Sequence, residues 1–318
     1  MTKKWYLLVF LYLFSYKMDA QNLVPNGDFE EYTHLPDGLD RLNYCVGWLN
    51  PNYGSSPDYF HTLGSGAITL PNTLLATVYP FSGKAIAGIH LTTPNNYREY
   101  IACKLISKLI VGKQYSFSFA YTNGGSNIDY GAGSDHFGVH FSKNLPISYS
   151  GNELPGSPQL EIDGVCWDTN WRVVSFTFIA DSAYQYLTIG NFHQDNQTIV
   201  INEITSIHPN DTYYFIDRIV LTKNIFPVSI EIPNVFTPNN DEVNDTFHPV
   251  QAIGIENYEL IIYNRWDQKV FQTTDVNQGW DGTFNQEKCT DGTYFWTVNY
   301  LDVNDKKGIK KGFLELNR

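Results

Sequence analysis

From Tyr258 to Trp266 apolar and polar positions change places at almost every step. Leu260, Ile262 and Asn264 fall on one side, Ile261, Tyr263 and Arg265 on the other, which is the two-residue period of a half-buried strand. The period returns where Phe295, Thr297, Asn299 and Leu301 alternate with Trp296, Val298 and Tyr300. Earlier, Tyr115, Phe117 and Phe119 alternate with Ser116, Ser118 and Ala120, a strand with one buried face. Segments 171–178, 186–190 and 213–221 are predicted to be strands as well. Asp281-Gly282 and Asp291-Gly292 are strong short hairpin signals. No long helical period and no internal repeat appears, so the chain is predicted to be all-β. Pro227 and Pro233 interrupt the pattern once, which predicts a linker at 224–231 between domains at 21–223 and 232–318.

Composition supports that division. A chain of 318 residues is long enough for two cores. With 15% aromatic and only 17% charged residues, it has the profile of exported β proteins rather than helical cytosolic ones. A net charge of −12 argues against a nucleic-acid partner, because phosphate binding needs a basic patch. The basic cluster Lys306, Lys307, Lys310 and Lys311 around Gly308 is expected to be a solvated hairpin edge. Residues 1–20 differ in kind: Lys3 and Lys4 precede an apolar run of 12 residues, Trp5 to Tyr16, too short to span a bilayer comfortably. This is expected to be a signal peptide cut near Ala20, although Met18 is bulky for the position before the cut. No other stretch approaches the roughly 18 apolar residues of a transmembrane helix, so none is expected in the mature protein. The export signal places Cys45, Cys103, Cys166 and Cys289 in an oxidising setting, but their spacing leaves the pairing open.

Two family resemblances add to this. The Asn/Asp-rich loop 237–245, the run Tyr258–Trp266, Gly279-Trp-Asp-Gly282 and Asp291-Gly-Thr-Tyr-Phe-Trp296 resemble, in order, the gliding-motility-associated C-terminal domain, a type B sorting domain for type IX secretion. That likeness implies a small Ig-like β-sandwich recognised by the outer-membrane export machinery. The sorting residues it implies are Asn239, Asp241, Asn244 and Asp245, with the terminal stretch 312–318 as a further contact. Asn240-Asp-Glu242 departs from the Gly-Asp-Gly expected there. Upstream, Asn22-Leu-Val-Pro-Asn-Gly-Asp-Phe-Glu30, Gly83-Lys-Ala-Ile-Ala-Gly88 and the closing Phe215-Ile-Asp-Arg-Ile-Val-Leu221 resemble galactose-binding-like jelly rolls, among them carbohydrate-binding modules of the family 4 type. In such domains the first and closing strands lie side by side and often hold a structural calcium. The matching positions are Asp28 or Glu30 and Asp217, where oxygen ligands suit calcium. Capping of Glu30 and Asp217 by backbone N–H groups, or pairing with Arg218 or Lys84, is the alternative.

Candidate chemistry is sparse. The chain has no Gly-x-Ser-x-Gly elbow, no His-Glu-x-x-His, no phosphate-cradling loop and no zinc-finger spacing, and no enzymatic role is expected. In Asp135-His-Phe-Gly-Val-His140 the two histidines share a strand face but stand about 13 Å apart at roughly 3.3 Å per residue, too far for one ion. They are expected to be structural or surface residues. Adjacent carboxylates such as Glu30 with Glu31, or the near pair Glu161 and Asp163, are poor candidates for paired acid and base. For a sugar ligand, Trp48, Tyr59 and Trp167 lead the candidates, with Tyr53 and Tyr130, because they sit in loop-like contexts where an aromatic face could stack on a pyranose. Trp171, Trp266 and Trp296 are expected in cores or on sheet faces. The expectation is a secreted or surface-exposed glycan-binding or adhesive protein, with a structural envelope or matrix protein as the alternative and a polysaccharide-acting enzyme a distant third.

Overall fold

The structure, a computed structural model, describes residues 21–206, 208 and 210–318. The expected signal peptide lies outside the described residues. The chain divides between Asn224 and Ile225 into two compact units, and regular structure in both is strand apart from short 3-10 turns.

In the first unit the strands are β1 (Trp48–Leu49), β2 (Asp58–His61), β3 (Ala85–Thr92), β4 (Ile101–Lys104), β5 (Gln114–Thr122), β6 (Ala132–Ser134), β7 (Gly138–Ser142), β8 (Leu160–Glu161), β9 (Arg172–Ile179), β10 (Tyr186–Gly190), β11 (Val200–Asn202) and β12 (Thr212–Lys223). They pair antiparallel into two five-stranded sheets, β1-β4-β10-β7-β8 and β2-β3-β12-β5-β9, with a β11-β6 ribbon. The predicted alternation on β5 buries Tyr115, Phe117 and Phe119, and Phe117 meets Phe141 of the opposite sheet edge-on with ring centres 5.7 Å apart. Each ring so buried contributes about 2–3 kcal/mol. β9 closes its sheet as an edge strand, turning Val174, Phe176 and Phe178 inward and leaving Val173 and Ile179 exposed.

The stretch expected to be the first strand is instead a series of turns pinned along β12. Leu23 N donates to Leu221 O at 2.7 Å, Ile219 N to Gly27 O at 2.7 Å, and the Asn22 side chain bonds both Ile219 O and Leu221 N. A bulge in β12 between Asp217 and Val220, with Arg218 at φ 51°, frees the edge for these contacts.

The second unit contains β13 (Ser229–Glu231), β14 (Val235–Phe236), β15 (Gln251–Ile253), β16 (Ile255–Tyr263), β17 (Lys269–Thr273), β18 (Thr283–Phe284), β19 (Glu287–Lys288), β20 (Gly292–Asp302) and β21 (Lys307–Leu316). The main sheet runs β14-β21-β20-β16-β17, flanked by the ribbons β13-β15 and β18-β19. Its core gathers Phe236, Phe247, Leu260, Ile262, Trp280, Val298, Leu314 and Leu316. Three expectations are corrected. Segment 224–231 is not a free linker, because Ser229–Glu231 pairs with β15 and buries Ile230. The antiparallel pattern breaks where β14 runs parallel to β21. The tight left-handed hairpin loop is Asn285-Gln286, at φ 52° and 66°, rather than either Asp-Gly pair. Gly312 and Gly308 on β21 face Trp296 and Tyr300 across the ladder, and a Cβ there would stand 2.4 and 2.1 Å from those rings. The glycines let the aromatics lie flat over the neighbouring strand.

Candidate functional site

The leading stacking candidates do not form a surface. Trp48 is buried against Phe29 with ring centres 4.9 Å apart, and its Nε1 donates to Asn26 O at 2.9 Å. Tyr59 is fully buried and its hydroxyl donates to Phe29 O at 3.0 Å. Both are core residues whose polar atoms found carbonyl partners, so neither offers a face to a sugar. Trp167 is half-buried beside Gly133. Tyr53 is exposed and packs on Tyr149 with ring centres 5.1 Å apart. Trp266, expected in a core or on a sheet face, is 73% exposed in the turn after β16.

Tyr130 does join a surface feature. A depression of about 510 Å³ is walled by His90, Tyr97, Tyr130, His208, Asp211 and Glu99. Tyr130 stacks on His208 at 4.6 Å and meets His90 edge-on at 4.7 Å. The floor is acidic and buried. Glu99 accepts from the Tyr97 hydroxyl at 2.8 Å, from Ser56 N and Oγ at 3.2 and 3.1 Å, and from His90 N at 2.8 Å. Asp58 accepts from the Tyr213 hydroxyl at 2.6 Å and from Asp40 N at 2.7 Å. Tyr213 reaches it over Gly88, where any Cβ would stand 2.1 Å from that hydroxyl. Burial pushes both carboxyls above the ordinary range, and for Asp58 the charge of Glu99 adds to it. Burial also holds the His90 imidazole down at about 4, and its Nδ1 has no partner among the described residues.

The expected calcium positions are used largely by the backbone. Glu30 accepts from Lys84 N at 2.6 Å and Ala85 N at 3.0 Å, capping the entry to β3. Asp217 is buried and accepts from Ser82 N at 2.8 Å and Arg218 N at 2.6 Å. Burial lifts its carboxyl to about 7 against those hydrogen bonds, and the charge of Asp28, itself exposed, pushes the same way. The oxygen donors are of the right kind for calcium, but Glu30 faces β3 while Asp28 and Asp217 face each other's field, so the fit is partial.

One group of metal-ligand type converges among the described residues: His136, Glu161 and His193, whose donor atoms all lie within 4.8 Å of one another. His140 is not part of it; its Nδ1 donates to Ser157 O at 2.8 Å on β7.

In the second unit the Asn/Asp loop is held by its own side chains. Asp245 accepts from Asn240 N at 2.7 Å and Glu242 N at 2.8 Å, Asp241 from Val243 N at 2.9 Å, and Asn239 from Asp241 N at 3.0 Å. Asn244 O accepts from Thr237 N at 2.9 Å, closing the loop. Asn240 and Glu242, where the resemblance leads one to expect glycine, take φ 67° and 69°, the left-handed conformation that glycine favours. Residues 230–316 match the CHU_C type IX secretion signal domain. The type IX secretion signal implies export to the cell surface or secretion, and no helix among the described residues is long and apolar enough to cross a membrane.

No curated protein sequence matches the chain. Among solved structures, the enzymatically active domain of bacteriophage CBA120 tailspike protein 4 aligns at TM-score 0.33 and 10% identity over 64% of this chain and 21% of that one. The CBM22-1–GH10 modules of Clostridium thermocellum xylanase 10B, complexed with xylohexaose, align at 0.34 and 11% over 67% and 32%. The K1 cleaved adhesin domain of Lys-gingipain from Porphyromonas gingivalis W83 aligns at 0.31 and 11% over 57% and 92%. The chain thus spans 21% and 32% of the first two, and likenesses at these TM-scores carry nothing about ligand or activity.

Sequence reasoning passed over His193, His90 and His208. His193 and His208 meet their partners across large sequence separations, and so does His90 with Tyr130 and Tyr213, so no local spacing could announce these groupings.

Proposed function

We propose that the first unit is a non-enzymatic glycan-binding module, carried outside the cell by the export machinery that reads the type IX secretion signal domain. The single observation behind this reading is the depression around Tyr130. It offers the half-exposed Tyr130–His208 stack, which rests on Tyr213 at 5.9 Å, as a platform for a sugar ring, with Asp211 and the Tyr97 hydroxyl at the rim to meet hydroxyl groups. The deep carboxyls support binding rather than catalysis, since Glu99 and Asp58 already accept hydrogen bonds from Ser56, Tyr97, His90, Tyr213 and Asp40. A structural calcium between Asp28 and Asp217 belongs to the same proposal, because a cation there would sit between two carboxylates, one exposed and one buried, whose charges repel.

The test is a glycan array probed with the mature chain, with and without calcium, followed by calorimetry on any hit. Tyr130→Ala is expected to weaken binding at least tenfold, because truncating a central aromatic of a binding site costs about 2 kcal/mol or more. Binding that survives this substitution unchanged would move the site elsewhere. An array blank in both conditions would leave a structural matrix role, and turnover of a polysaccharide would make the unit an enzyme.

A further inference from the structure

We infer that His136, Glu161 and His193 form a binding site for a borderline divalent cation of the zinc type, independent of the glycan site. The residues come from three separate places: the turn between β6 and β7, the end of β8, and the loop after β10. Glu161 Oε1 lies 2.9 Å from His193 Nε2 and 3.3 Å from His136 Nδ1. A tetrahedral zinc with ligand bonds of about 2.0–2.2 Å sets its donor atoms roughly 3.3 Å apart, so the two measured separations are close to the edges of such a polyhedron.

The hydrogen bonds outside the cluster decide which nitrogens are free. His136 Nε2 is 3.1 Å from Gln197 O, a carbonyl that can only accept, so this nitrogen carries the proton. In the neutral ring the Nδ1 lone pair then faces a carboxylate oxygen, an arrangement that needs a positive charge between the two atoms. A metal-bound histidine commonly donates its second N–H to a backbone carbonyl, which is the role Gln197 O plays here. The competing occupant is a proton on His136 Nδ1. That state stacks one imidazolium on a neutral His193 ring with centres 3.8 Å apart, and a metal titration separates it from a bound ion. On binding, the ion takes the Nε2 lone pair of His193, and the single proton of that neutral ring then sits on Nδ1.

The scaffold holds the donors without the ion. His193 N donates to Asn191 Oδ1 at 2.8 Å, and its carbonyl accepts from the buried Arg98 guanidinium at 3.0 Å. Arg98 also pairs with Asp195 at 2.8 Å on the same loop. His136 sits at φ 60°, held by the exchange between Asp135 and Ile199 in which each backbone N–H is taken by the other residue. The three side chains are 27–31% exposed, which leaves a coordination position open to water. Two nitrogens and one oxygen favour zinc, nickel or copper over calcium, which takes only oxygen ligands.

Calorimetry of the metal-stripped mature chain with zinc chloride tests this, with cobalt(II) as an optical probe of tetrahedral geometry. One equivalent is expected to bind with a dissociation constant of about micromolar or tighter and to raise the melting temperature. His193→Ala and Glu161→Gln should each weaken binding by at least about tenfold, whereas the exposed His34→Ala should not. Circular dichroism and melting of the metal-free variants establish that they fold. Absence of zinc binding below millimolar concentration, or binding equal in wild type and both cluster variants, would overturn the assignment.

Discussion

Beneath its loops the first unit encloses Asp58, Arg98, Glu99, Asp217 and several buried amides, whereas the described polar residues enclosed by the second are Thr273 and Asp302. Its interior is instead aromatic: Trp280 meets Tyr294 at 4.9 Å and Phe236 at 5.4 Å. Buried charge is a weak way to stabilise a domain, because desolvation offsets most of what pairing contributes. On the proposed function, its presence in one unit and near-absence in the other separates a binding body from a body that has only to fold firmly and be recognised. The signal domain keeps its polar side chains in turns, where they hold backbone N–H groups at the surface.

The comparison breaks hardest at Trp280. Trp280→Ala should cost the second unit about 3–5 kcal/mol by opening a cavity under β14 and β20. A reporter carrying residues 225–318 with this substitution should fail to leave a cell equipped with type IX secretion. The melting transition of the first unit should not move, and a common shift of both would mean that the two are not independent folding bodies.

The pH dependence should sort the units the other way. The Asp217 carboxyl rises from 3.8 to about 7 in the folded chain and Asp58 and Glu99 rise too, while burial holds His90 down at about 4 and offsets part of their effect. The folded first unit therefore keeps protons that the unfolded chain gives up. That stability is complete below about pH 4 and is lost as pH climbs through 7, a decline of roughly 2–4 kcal/mol. Urea midpoints between pH 4 and 7 should fall for the transition of the first unit. A flat profile, or a slope undiminished in the Asp58→Asn/Asp217→Asn double variant, which keeps only Glu99 of the three raised carboxyls, would assign the effect elsewhere.

The smallest effect sharpens the comparison at a turn. Glu242→Gly relieves a left-handed side chain in the signal domain and should stabilise that unit by up to about 1 kcal/mol, while the first unit is unmoved. Loss of stability would show that the Glu242 side chain holds the loop in some way other than through its backbone N–H to Asp245.

What the sequence discloses and conceals follows the range of the interactions. The alternation around β5, β16 and β20 is written in neighbouring residues, because a strand's two faces are set by a period of two, and those strands form as expected. The register of β14 against β21 is not, since Phe236 and Leu316 choose each other only once both segments are folded. Trp48 looked like a loop aromatic because nothing near it announces that Phe29 and the Asn26 carbonyl will enclose it. His136 has His140 as its neighbour in the chain, while its partners in space are Glu161 and His193. Glu242 showed the reverse: a departure from expected glycine spacing marked a real backbone demand that the chain meets with a strained residue.

The place of β21 within its sheet has a bearing on biosynthesis. It lies between β14 and β20 and buries Leu314 and Leu316, so a ribosomal product broken off before Lys307 lacks an inner strand of the sheet and part of its core. Such a fragment cannot assemble the address by which it would be exported. Prematurely ended copies of this protein would therefore stay behind in the cell, sorted out by the same fold that sends finished ones on.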